Sequence, residues 1–171
     1  MIAVAPNGAR KQKADHSGLP ITPLELSGAA VECRDAGASM IHLHVRNIEG
    51  GHSLDVSTYR EAIAAVRSAV GDEMIIQVTT EAVGIYSIDQ QIQMVQELKP
   101  EAVSLAVREL CPLAENEVKA AKFFAWLQKE RVAAQYILYS AKDVQRFDAL
   151  RRSGVIPGDT VSALYVLGRY S

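Results

Sequence analysis

Cysteine is scarce in this chain: there are two in 171 residues, Cys33 and Cys111. Two isolated cysteines exclude a disulfide framework and fit a reduced, cytoplasmic setting. Long apolar runs are missing, and none approaches the ~20 residues that a membrane-spanning helix needs. No charge dominates either, since 18 Lys and Arg face 20 Asp and Glu for a net charge of −2. That balance gives no electrostatic reason to bind nucleic acid or an anionic membrane surface. The opening Met1-Ile2-Ala3-Val4-Ala5 has no basic stretch and reaches Pro6-Asn7-Gly8 at once, so no signal peptide is expected. Gly-x-Gly-x-x-Gly, a phosphate-binding loop and Gly-x-Ser-x-Gly are all missing. The sequence therefore lends no support to nucleotide-driven chemistry or to a serine hydrolase.

What the chain has is 49% hydrophobic residues, enough for one ordinary core, in alternating strand and helix patterns. Strands are expected over 2–6, 39–45, 74–79, 102–107, 134–139 and 161–167. The first helix opens at Thr22-Pro23-Leu24-Glu25. Thr22 caps it, Pro23 suits the first helical position and Glu25 completes a capping box. Leu26, Ala29, Ala30 and Cys33 follow at helical spacing, and Gly37 stops it. A second helix starts near Ser57 with Tyr59, Ile63, Val66 and Val70 inward and ends at Gly71. A third starts at Ser87, with Gln90 three residues on, and turns Ile88, Ile92, Val95 and Leu98 inward before Pro100. A fourth covers 116–130 with Val118, Ala121, Phe124 and Leu127 in register. A fifth uses Val144, Phe147 and Leu150 before Gly154.

Six strands and five helices in strict alternation predict a parallel sheet covered by helices. An open doubly wound sheet and a (β/α)8 TIM barrel both fit. Nearly all the reactive side chains fall in the loops after the first four strands, as either fold requires. A full barrel has two further strands and typically about 250 residues. This chain stops just after a strand, so residues 1–171 are expected to form a single incomplete (β/α) barrel domain. Its unclosed edges would favour poor solubility or self-association.

His42-Leu43-His44-Val45-Arg46 is the most informative stretch. Side chains alternate along a strand, so His42 and His44 share a face. Two imidazoles on a rigid strand make two of the three protein ligands of a catalytic zinc site, which keeps one position open. Simple packing is the alternative. Arg46 could meet an anionic substrate group or form a structural ion pair. Thr79 and Thr80 end the third strand, where hydroxyls could hold a substrate carboxylate or carbonyl, although threonines are also good strand formers. Glu81 could be a ligand, a base or a surface charge. Asn7-Gly8 could present an amide and a backbone N–H to substrate, or only mark a turn. Ser104 and Glu109 are weaker candidates, Ser104 reading also as a small interior residue. His16 and His52 lie in polar loops and are expected to face solvent. Tyr136, Tyr139 and Trp126 read as packing residues.

Several motifs occur in order: Ala5-Pro6-Asn7-Gly8-Ala9, Leu19-Pro20-Ile21-Thr22-Pro23, Ala36-Gly37-Ala38 with the His-Leu-His-Val-Arg run, Thr79-Thr80, Lys99-Pro100-Glu101-Ala102-Val103-Ser104-Leu105 and Val166-Leu167-Gly168. Together they resemble the β-keto acid cleavage enzyme family. The resemblance implies a zinc-dependent (β/α)8 barrel, usually a homo-oligomer, acting as an acyltransferase. A β-keto acid and the cosubstrate acetyl-CoA would yield acetoacetate and a new CoA thioester, through a carbanion and a retro-Claisen cleavage. It implies that His42 and His44 are zinc ligands and that Thr79 and Ser104 contact substrate. The family's third ligand, a Glu, and its catalytic Asp and Arg would follow Ser171. The chain departs from the family in carrying Glu81-Ala82 where two glycines are common, and Arg10 where an acidic residue can stand. A catalytically inactive incomplete barrel and a metal-dependent barrel hydrolase remain as other readings. The hydrolase reading suffers because such enzymes carry His-x-His on their first strand.

Overall fold

The computed structural model describes residues 1–167; Gly168 of the Val166-Leu167-Gly168 motif lies outside the described residues. The chain runs β1 (Ala3–Val4), α1 (Pro23–Asp35), β2 (Met40–Leu43), β3 (Val45–Arg46), β4 (His52–Ser53), α2 (Val56–Val70), β5 (Ile75–Thr79), α3 (Ile88–Leu98), β6 (Ala102–Ala106) and α4 (Val107–Leu110). A 3-10 turn (Ala114–Asn116), α5 (Glu117–Lys129), β7 (Ala133–Leu138), α6 (Ala141–Arg152) and β8 (Ser162–Tyr165) complete it. Among the described residues no helix is long and apolar enough to cross a membrane.

Local sequence explains where the helices begin. Both halves of the Thr22/Glu25 capping box form, with Pro23 in the first turn of α1. Ser87 and Gln90 do the same for α3. The cap of α2 is Asp55 rather than Ser57. Its carboxylate accepts from the Thr58 N–H at 2.8 Å and from the hydroxyls of Ser57 and Thr58.

Six strands form one sheet in the order β1-β2-β5-β6-β7-β8, and every neighbouring pair is parallel. A doubly wound sheet reverses its strand order at a switch point, whereas a barrel adds each strand beside the last. The strictly sequential order therefore removes the open-sheet alternative and leaves the (β/α) barrel fold. The outer face of the sheet carries Ile41, Leu43, Ile76, Val78, Val103 and Leu105. It packs against Leu26, Tyr59, Val66, Val95, Phe124 and Leu127 from the helices in one continuous core.

Four expectations need correction. Strand pairing of the second strand ends at Leu43; Val45 and Arg46 leave the sheet and pair antiparallel with Ser53 and His52. The turn of that hairpin is closed by Asn47, whose Oδ1 accepts the Gly51 N–H at 2.7 Å, with Gly50 at φ +81°. Helix α5 buries Ala120, Phe123, Phe124 and Leu127 and leaves Val118 69% exposed, because two adjacent phenylalanines pull its inner face round by a residue. In α3 the buried stripe is Gln91, Met94 and Val95, with Ile88, Ile92 and Leu98 at its margins. Helix α6 exposes Val144 and buries Asp143. Burial would raise the Asp143 pKa, but Arg108, the Tyr139 N–H and the Ser140 hydroxyl hold the carboxyl below its usual range.

Lys99 closes α3 in the left-handed region at φ +49°, where a Cβ is strained. Its amine reaches Glu130 Oε2 at 3.1 Å, an exposed pair of small worth. Lys99→Gly is therefore expected to raise unfolding free energy by about 0.5–1 kcal/mol in urea melts. A fall of that size would mean that the ion pair outweighs the strain.

Candidate active site

The inner face of the curled sheet is polar where the outer face is apolar. His42, Gln77 and Gln135 project inward from β2, β5 and β7. Together with Ala3, Gly8, Thr79 and Leu164 they line a cavity of about 320 Å³. Register sets His42 beside Gln77, Thr79 beside Ser104, and Gln135 beside Ser162. Because side chains alternate, a one-residue shift in any strand would remove its inward group from the cavity.

The two histidines converge. His42 Nε2 and His44 Nε2 are 3.0 Å apart, with ring planes at 69°. On its other nitrogen His42 meets Gln77 Oε1, 2.8 Å from Nδ1. Burial pushes the His42 pKa below its usual value, against the opposing pull of Gln77 and Glu81, so the ring is neutral. His44 is buried, and its Nδ1 lies 3.9 Å from Glu81 Oε2. This places Glu81 behind a histidine, lining the cavity rather than on the outer surface.

These features can be tested against a zinc ion. Two imidazole nitrogens at 2.0–2.1 Å on a tetrahedral centre stand about 3.3 Å apart. The observed 3.0 Å is close to that, Gln77 holds His42 from behind, a Glu81 carboxylate oxygen lies 3.9 Å from His44 Nδ1, and neutral imidazole is the ligating form. The pair fits two corners of a zinc tetrahedron. Among the described residues no group of three or more His, Cys, Asp or Glu is placed to hold a metal ion.

The remaining candidates divide by what they touch. Thr79 lines the cavity, and its Oγ1 accepts the Glu81 N–H at 3.0 Å. Ser104 is 1% exposed, and among the described residues its hydroxyl has no hydrogen-bond partner. Thr80 turns away, its hydroxyl donating to the Ser104 carbonyl at 3.4 Å. Asn7 donates from Nδ2 to the His44 carbonyl at 2.8 Å and so ties the first loop to the histidine strand. Arg46 does not line this cavity, and among the described residues it forms no ion pair within 4.0 Å, although the Glu81 carboxylate is near enough to act on its charge. Its guanidinium donates to the carbonyls of Gly8 and Lys11, stapling the first loop from below. Arg46→Met keeps the bulk and leaves those carbonyls unpaired, which costs about 2 kcal/mol. Trypsin is then expected to cut the loop bearing Lys11 and Lys13 faster than in the unaltered protein. An unchanged cleavage rate would mean that the staple is dispensable.

Three residues escaped the sequence reading or were misplaced by it. His52 was expected in solvent and is instead 6% exposed, because the hairpin folds it under His44, with ring centroids 5.4 Å apart. Its Nε2 donates to the Glu81 carbonyl at 2.8 Å, and its ring packs edge-on to Tyr86. Gln77 and Gln135 were not singled out. Their signal was there, a lone amide in each of two apolar strands, since a buried polar residue is the informative exception. Of the other expectations, His16 stays exposed, Tyr136 packs in the core, and Trp126 lies partly buried at its edge. Tyr139 lines the cavity under the Arg108 guanidinium, and Glu109 Oε2 accepts the Ala82 N–H at 3.1 Å, bracing the loop after β5.

Comparison with known proteins adds the following. A family model described as beta-keto acid cleavage enzyme matches residues 1–171. The 3-keto-5-aminohexanoate cleavage enzyme of Fusobacterium nucleatum is 34% identical over 105 residues, 61% of this chain and 38% of that protein. The 3,5-dioxohexanoate:acetyl-CoA acetone transferase of Paraburkholderia graminis is 27% identical over 106 residues, 61% of this chain and 34% of that protein. The matched stretch thus spans little over a third of either relative's length. Among solved structures, a type I 3-dehydroquinate dehydratase from Clostridium difficile superposes with a TM-score of 0.60 at 14% identity. The match covers 90% of this chain and 59% of that one, a likeness of fold alone.

Proposed function

Since the chain belongs to the β-keto acid cleavage enzyme family, we propose that it cleaves a β-keto acid with acetyl-CoA, giving acetoacetate and a new CoA thioester. His42 and His44 hold the zinc ion. The observation that carries this is the convergence of their Nε2 atoms at 3.0 Å on a polar cavity. When bound, zinc supplies Lewis acidity toward the carbonyl and carboxylate oxygens of the keto acid.

The chain's own groups orient the substrate. The Thr79 hydroxyl already accepts the Glu81 N–H, which leaves its proton for a substrate oxygen. Ser104 offers a second hydroxyl in the same register. Asn7, Arg46 and Thr80 hold the loops and the strand behind them and act on substrate only through that frame. In the reaction a base takes a proton from the carbon between the two carbonyls. That carbon forms a bond to the acetyl carbonyl as the thioester C–S bond breaks. The released CoA thiolate adds to the original keto carbon, the bond from that keto carbon to the attacking carbon breaks, and the protonated base returns its proton to the acetoacetate carbanion.

The test is to incubate the protein with acetyl-CoA, zinc and a panel of β-keto acids and to measure acetoacetate. Zinc-dependent acetoacetate from at least one acid is expected. No product across the panel, or hydrolysis without any need for acetyl-CoA, would overturn the proposal. The protein is also proposed to self-associate. Among the described residues the outer edges of β1 and β8 carry no partner strand, and Leu164 and Tyr165 are exposed. Sedimentation at micromolar concentration is expected to give a dimer or larger species, and a sharp monomer boundary would contradict it.

A further inference from the structure

Behind the histidine pair a chain of side-chain hydrogen bonds crosses the barrel interior. His42 Nδ1 meets Gln77 Oε1 at 2.8 Å, Gln77 Nε2 donates to Gln135 Oε1 at 3.3 Å, and Gln135 Nε2 donates to Ser162 Oγ at 3.2 Å. Strands β2, β5, β7 and β8 and their register place these groups, with β6 lying between β5 and β7, and Gln77 is only 2% exposed. An amide has a direction. With its nitrogen committed to Gln135, Gln77 presents only its oxygen to His42, and an oxygen can only accept. The proton of His42 must then sit on Nδ1, and the lone pair of Nε2 points at His44 and the open cavity.

We propose that Gln77, oriented by Gln135, is a positioning residue that fixes His42 in the Nδ1–H tautomer and so keeps its Nε2 ready to ligate. This rests on reading His42 as a ligand. A histidine in water prefers the opposite tautomer, with its proton on Nε2, where a metal would have to displace it. Gln77 is buried behind the Nδ1 side of the ring, so on that side the amide chain makes the choice. The sheet thus does more than aim the ring: it sets which nitrogen is available. Ser162 Oγ ends the chain by accepting from Gln135 Nε2.

The test needs no turnover. In metal-free, 15N-labelled protein, long-range 1H–15N spectra report the tautomer of each histidine ring. His42 is expected to carry its proton on Nδ1 in the unaltered protein and in Gln77→Glu, whose carboxylate can only accept. In Gln77→Met, which keeps the length but offers no acceptor, the proton is expected on Nε2. Zinc titration of the same proteins is expected to show Gln77→Glu binding at least as tightly as the unaltered protein. Gln77→Met should bind about 10- to 100-fold more weakly. Gln135→Met, which frees the Gln77 nitrogen, should fall between the two. A His42 proton on Nε2 in the unaltered protein, or a tautomer that ignores residue 77, would overturn the proposal. A tautomer that follows residue 77 in a protein that never binds zinc would uphold the positioning role and remove the zinc reading instead.

Discussion

Replacing His44 with alanine is expected to weaken zinc binding about 100- to 1,000-fold and to abolish zinc-dependent acetoacetate formation. A tetrahedral site of four ligands is worth roughly 10–16 kcal/mol, so one imidazole accounts for about 2.5–4 kcal/mol. Tenfold in affinity corresponds to about 1.4 kcal/mol. His42→Ala should lose as much or slightly more, because it also strands the Gln77 oxygen that His42 now meets. The double variant should be little worse than either single one, since a lone imidazole at this strand end has no second anchor. Calorimetric titration of zinc into the three variants measures all of this. Losses below tenfold in both single variants would place the metal elsewhere. Asn7 supplies a control, because it touches the His44 backbone and not its ring.

Phe124→Ala is expected to remove about 3–5 kcal/mol of stability, most of what a marginally stable domain has. The Phe124 ring is 1% exposed. It packs edge-to-face on Tyr136 at 5.6 Å and against Phe123 at 5.9 Å, and Tyr136 continues to Phe147 at 5.2 Å. One ring therefore joins α5 to β7 and, through Tyr136, to α6. Removing it opens a void among three elements that cannot all collapse inward at once. The single tryptophan, Trp126, stacks on Phe123 at 6.3 Å and reports the same region. Its fluorescence should follow urea unfolding with a sharply lowered midpoint in Phe124→Ala, and a much smaller change in Phe124→Leu. A midpoint within 1 M of the unaltered protein would mean that the helix layer can re-pack.

The fold was legible wherever one residue carried one job. Apolar runs marked the sheet strands, and Thr22, Pro23 and Glu25 marked a helix start that forms as drawn. His42 and His44 could be placed together because strand alternation is insensitive to what surrounds the strand. The hairpin β3–β4 was not legible. Two-residue strands carry no periodicity, so nothing in His52's own neighbourhood says that it will be folded under His44. That Arg46 staples the first loop was not legible for the same reason: its partners are the carbonyls of Gly8 and Lys11, 38 and 35 residues away, and backbone groups leave no mark in a sequence. Asp143 was missed because a buried carboxylate becomes tolerable only once Arg108 is beside it. Gln77 and Gln135 were passed over because an amide in an apolar strand is informative only when its neighbours in register are known.

The most direct measurement is anomalous diffraction at the zinc edge from crystals of the zinc-loaded protein. A single strong peak is expected at about 2.0–2.1 Å from both His42 Nε2 and His44 Nε2, on the cavity side of the pair. A peak away from these two nitrogens, or no peak in crystals grown with excess zinc, would contradict the assignment of His42 and His44 as the metal anchor of this barrel.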